Sequence, residues 1–114
     1  MTQDTTVSYF VRYRGLPLPI DPFVTHYQER HARILQELPG IHGLALHVPA
    51  TWHDPAGIHH DGTDFLAEMR FDSVAALEAA LQSEARQRAR TDFARLPKGA
   101  AAVTHQAMHR LQIF

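Results

Sequence analysis

The sequence predicts an α+β domain of ferredoxin-like type, βαββαβ, with an antiparallel sheet and two helices on one of its faces. Three observations carry that expectation. Residues 21–40 (DPFVTHYQERHARILQELPG) hold apolar side chains at helical spacing, and residues 64–71 alternate apolar and polar side chains with the period of a strand. The elements then follow one another as strand, helix, strand, strand, helix, strand.

Each element has its own justification. Residues 1–6 (MTQDTT) are polar and are expected to be disordered, leaving one domain over 7–114. Val7 to Arg14 is rich in β-branched and aromatic residues and reads as a strand. Gly15, Pro17 and Pro19 form a stiff connector. Asp21 before Pro22 reads as an N-cap with proline at the first helical position, and Pro39 and Gly40 stop that helix. Ile41 to Val48 reads as the second strand, Pro49 to Gly62 as a long loop, and Asp64 to Phe71 as the third strand. Ser73 caps a second helical region, in which Val74, Leu77, Leu81, Ala85, Ala89 and Leu96 recur at helical spacing with a break near Ser83. Thr104 to Phe114 alternates as a closing strand.

Composition narrows the function classes. With 114 residues, 45% of them hydrophobic, the chain supports one core and not two. A formal net charge of −1 gives no basis for gripping nucleic acid, and the arginines from Arg86 to Arg90 alternate with acids as on a solvated helix face. Zero cysteines exclude disulfides, thiolate nucleophiles and cysteine-ligated metal. No apolar run is long enough for a membrane span and no secretory leader stands at the start, so a cytoplasmic protein is expected. Phosphate-loop, nucleophile-elbow and zinc-protease motifs are all missing from the sequence.

The chemistry-bearing feature is His31. Wound at about 100° per residue, Phe23, Val24, Tyr27, His31, Ile34, Leu35 and Leu38 share one arc, with His31 near its centre, while Ala32 falls on the opposite side. An inward imidazole serves as acid or base near neutrality, or is a core histidine satisfied by a backbone carbonyl. Tyr27, one turn earlier, holds a ligand oxygen or is plain core. Asp92 points inward beside the imidazole if the second helix runs unbroken, or caps a last turn. His105 and His109 lie too far apart along a strand to share one ion, and His53, His59 and His60 sit in the long loop, so no metal site is expected. Trp52 on that loop reads as a lid or as a rim residue packed on a partner. Strand one reads as apolar on both sides, and a sheet so built needs a second cover, which a two-fold copy supplies.

Phe23, Tyr27 and His31 (F-x3-Y-x3-H), then Leu38 to Gly40 (LPG), Asp61–Gly62, Ala67 to Ser73 (AEMRFDS) and Asp92 together resemble the EthD-like family. The family's H-x-P is replaced here by His31-Ala32-Arg33. The resemblance implies a homodimeric α/β barrel packed sheet to sheet, with a small hydrophobic pocket in each subunit between helices and sheet. It also implies kinship with muconolactone methylisomerases and with tailoring enzymes that use neither metal nor organic cofactor. The expected function is cofactor-independent acid/base chemistry on a small apolar carbonyl or aromatic compound. His31, Tyr27 and Asp92 form the catalytic set, and Phe23, Trp52, Phe65, Met69 and Phe71 bind a small hydrophobic ligand. The alternatives are a noncatalytic binding or accessory protein of a catabolic operon, and a cofactor-free monooxygenase.

Overall fold

β1 (Val7–Arg14) lies inside the sheet, paired antiparallel on one side with β3 (Phe65–Phe71) and on the other with β4 (Ala102–His109). β2 (Gly43–His47) adds to the far side of β3, so the four antiparallel strands run in the order β2-β3-β1-β4. This is the ferredoxin-like arrangement expected from the element order. The computed structural model describes residues 5–114, so the expected disorder over 1–6 lies outside the described residues for 1–4. Thr5 is tied to the sheet, its hydroxyl donating to the Asp72 carbonyl at 2.9 Å. Among the described residues, no helix is long and apolar enough to cross a membrane.

The first helical rod is made of three pieces: α1 (Asp21–His26), a π-helical turn (Tyr27–His31) and α2 (Ala32–Leu35). Ile20, not Asp21, stands at the cap. Its carbonyl accepts from Val24 N at 3.0 Å, and Asp21 sits in the first turn, where its charge complements the helix dipole. The π turn closes with Ala32 N donating to the Tyr27 carbonyl, one residue further than in an α-helix. That extra residue rotates the remainder of the rod about its axis. Ala32, expected on the solvent side, is consequently buried, while Phe23, Tyr27, His31, Leu35 and Leu38 keep the inward places the periodicity gave them. Gly40, with φ of +77°, then reverses the chain toward β2 in a backbone region that a side chain disfavours.

The second helical region is divided as expected. α3 (Val74–Leu81) and α4 (Glu84–Phe93) are separate helices, each started by a serine whose hydroxyl accepts a backbone N–H: Ser73 from Ala76 and Ser83 from Arg86. Val74, expected on the inward stripe, is 40% exposed, whereas Leu77 is buried as expected and Ala80 joins it on the core side.

All helices cover one face of the sheet. Register sets Tyr9 against Met69, Val11 against Ala67 and Tyr13 against Phe65, and all of these side chains point toward the helices. Tyr13, Phe23, Tyr27 and Phe65 form one aromatic cluster, with edge contacts at centroid distances of 4.9 Å for Tyr13–Phe23 and 5.0 Å for Phe23–Phe65.

The other face differs from expectation. It carries Ser8, Phe10, Arg12 and Arg14 of β1, Leu66, Glu68 and Arg70 of β3, and Thr104, Gln106 and Met108 of β4, which is a mixed surface and not a greasy one. Strand one is apolar on both sides only if Phe10 is weighed without its neighbours Ser8 and Arg12. Ser8 Oγ donates to Glu68 Oε2 at 3.0 Å across this face.

Phe65 is fully buried at the centre of the aromatic cluster. Phe65→Ala is expected to cost about 3–5 kcal/mol in urea denaturation, whereas Leu18→Ala, at a site 85% exposed, changes stability by less than about 0.5 kcal/mol.

Candidate active site

Asp92 is where the two helical layers meet. It stands on α4, whose core side is Ala85, Ala89 and Asp92, and its carboxylate accepts from two histidines of the first rod. His31 Nδ1 lies 2.9 Å from Asp92 Oδ2, and His26 Nε2 lies 3.2 Å from each carboxylate oxygen. A carboxylate has no proton to give, so the proton of the His31 ring sits on Nδ1 and Nε2 carries the free lone pair. The side chain of Asp92 therefore does not cap a last turn. The helical region is broken at Ser83, and it is the register of α4 alone that turns Asp92 inward.

His31 and Asp92 are both buried, and their environments act on them in opposite ways. Burial lowers the His31 pKa, the Asp92 hydrogen bond and charge push back, and the net shift is downward, so the ring is neutral near pH 7. Burial pushes the Asp92 carboxyl up, but the hydrogen bonds and charges of His31 and His26 outweigh it and hold the group ionised.

His31 and Tyr27 line a cavity of about 50 Å³ between the helices and the sheet, enough for a few water molecules. Its other polar lining comes from Tyr9, Tyr13, Arg86, Arg90 and His105, and its apolar lining includes Leu35, Leu38, Met69 and Phe93. The rings of Tyr27 and His31 are 4.7 Å apart. Burial raises the pKa of Tyr27 and of Tyr13, which keeps both as hydrogen donors at any ordinary pH. Tyr9 Oη lies 2.7 Å from His105 Nδ1.

The remaining expected residues stand elsewhere. Met69 lines the cavity, but Phe23, Phe65 and Phe71 are packed in the core behind it and are not among its lining residues. A lining role inferred from apolar character alone does not separate a wall from its backing. Trp52 is half exposed and stacks on His60 at 4.5 Å within the long loop. Among the described residues, no group of three or more His, Asp or Glu is gathered to hold a metal ion.

Sequence reasoning missed His26 and the cavity residues Tyr9, Tyr13, Arg86, Arg90 and His105. A signal existed for the tyrosines, since Tyr9, Val11 and Tyr13 occupy alternate positions of one strand and must share a face.

The EthD domain family model matches residues 17–96. Similar solved structures include an ethyl tert-butyl ether degradation (EthD) family protein from Bacillus halodurans C-125, at 19% identity over 93% of this chain and 99% of that one, with a TM-score of 0.74. The ActVA-Orf6 monooxygenase of Streptomyces coelicolor, solved with nanaomycin D, shares 15% identity over 96% of this chain and 90% of its own, with a TM-score of 0.65. SnoaB, a cofactor-independent oxygenase from Streptomyces nogalater, shares 14% identity over 95% of each chain, with a TM-score of 0.62. These likenesses show the fold. A search of curated protein sequences returns no match.

Because the folded state holds His31 below its usual pKa, the unfolded chain binds that proton more readily, and stability falls as pH drops below the ordinary histidine value. Between about pH 7 and about pH 5, urea midpoints are expected to fall less steeply for His31→Gln than for the wild type; parallel slopes would remove His31 from the titration. In Asp92→Asn, the loss of the carboxylate charge lowers the His31 pKa further, measured by NMR titration of the ring.

Proposed function

This chain belongs to the EthD domain family, and on that footing we propose that it is a cofactor-independent enzyme that moves a proton on a small carbonyl or aromatic compound. His31 is the base. Asp92 accepts the hydrogen bond from Nδ1–H, so that Nε2 keeps a free lone pair and removes a proton from carbon beside a carbonyl. Tyr27, kept protonated by burial, donates to the oxygen on which negative charge then builds, and Tyr13 offers a second hydroxyl nearby. Asp92 stabilises the imidazolium that forms, and His26 shares the carboxylate from its other side. The observation that carries this reading is the 2.9 Å contact between His31 Nδ1 and Asp92.

Met69 supplies apolar wall, while Phe23 and Phe65 pack against Tyr13 and Tyr27 and Phe71 belongs to the core. A ligand larger than the present cavity enters by outward movement of Arg90 and His105, the exposed members of the lining. The noncatalytic alternative has less support, because His31 is partnered by a carboxylate and not by a backbone carbonyl, and other polar groups share its cavity.

A second reading is favoured by the same groups: deprotonation of an electron-rich phenol or hydroquinone, whose anion then reacts with dioxygen without a cofactor. The folds shared with SnoaB and ActVA-Orf6 are compatible with it.

We also propose that two copies pack through the uncovered sheet face. Arg12 Nε, in an ion pair with Asp61 at 3.7 Å, is buried there without a hydrogen bond, on the face that carries Phe10 and Leu66. Light scattering is expected to give twice the mass of the chain.

Proton removal is tested directly by deuterium incorporation from heavy water into a panel of small lactones and alkyl aryl ketones, read by NMR at the carbon beside the carbonyl. The wild type is expected to accelerate exchange of at least one compound, and His31→Ala to lose about 100-fold or more of that rate. Exchange that survives His31→Ala would overturn the assignment.

A further inference from the structure

Arg86 and Arg90 stand one turn apart on α4 and both line the cavity. Among the described residues neither forms an ion pair, in contrast to Arg88 between them, which faces away and holds Glu37 at 2.6 Å. What fixes the two guanidiniums leaves their charge uncompensated. Arg86 Nη1 donates to the Leu81 carbonyl at 3.2 Å, which pins it against the end of α3, and the Arg90 guanidinium lies over the Phe93 ring at 4.9 Å.

The surroundings add donors and no acid. No Asp or Glu is among the residues lining the cavity. Burial lowers the pKa of His105 and both arginines push it the same way, so His105 is neutral. Its Nδ1 lies 2.7 Å from the Tyr9 hydroxyl, a contact that either tautomer of the ring satisfies. In a chain whose formal net charge is −1, this cavity is locally cationic, with two fixed charges and an apolar floor.

We propose that the ligand of this cavity carries a carboxylate, held by Arg86 and Arg90, beside an apolar or aromatic body. A planar two-oxygen anion matches the guanidinium fork and supplies the negative charge that the cavity lacks. The proposal rests on the reading of this cavity as the ligand site and narrows the substrate class to aromatic or unsaturated acids. It assigns Arg86 and Arg90 to binding and not to proton transfer.

The test needs no turnover. Benzoate and its neutral isostere benzamide are titrated into the protein, with binding followed through the Met69 methyl resonance inside the cavity. Benzoate is expected to bind about tenfold or more tightly than benzamide. Arg86→Gln combined with Arg90→Gln is expected to abolish that preference, so that benzoate binds no more tightly than benzamide. Arg88→Gln, outside the cavity, keeps the preference. Equal binding of the two probes, binding of neither, or a preference that survives the double substitution would overturn the proposal. Tighter binding of phenyl phosphate than of benzoate would overturn it in favour of a phosphate ester. Benzoate preference without any deuterium exchange would instead leave the carboxylate site standing and remove the proposed proton transfer.

Discussion

One buried carboxylate holds the site together. Asp92 joins α4 to the first helical rod through His31 and His26, and among the described residues few other polar contacts cross between these layers in the interior. An ionised carboxylate out of water is costly unless its oxygens are occupied, and here two imidazoles occupy them. The same contacts decide which tautomer His31 adopts and where its free nitrogen is found. Position, protonation state and orientation of the imidazole are therefore one fact and not three.

Around that contact the packing changes character. On the rod and sheet side, Phe23, Tyr27, Tyr13 and Phe65 interlock edge to face and leave little room. On the α4 side the inward residues are Ala85 and Ala89, which fill far less space. The cavity lies where large rings meet small side chains, and its floor is stiff while its rim is long, polar and exposed. Rigid aromatic groups thus back the proposed chemistry, and Arg86 and Arg90 border the cavity.

Much of this is readable in the chain. Period-2 alternation in Phe65 to Phe71, the cap at Ser73 and the break near Ser83 are legible because these signals are local. The inward place of His31 follows from spacing alone. What spacing cannot supply is anything set by contacts distant in sequence. The π turn at Tyr27–His31 has no local signature in the residues, and it turns Ala32 inward against expectation. The pairing of His26 with Asp92 spans 66 positions. Arg86 and Arg90 read as solvated because alternation of charge along a helix cannot tell solvent from a water-sized hollow beneath it. The mixed outer face of the sheet escapes a reading in which one phenylalanine stands for a whole strand.

The interruption at Ser83 makes α4 a short body of its own, and it carries Arg86, Arg90 and Asp92 together. A displacement of this helix moves all three side chains at once, so the lining of the cavity and the carboxylate that holds His31 are set by a single element.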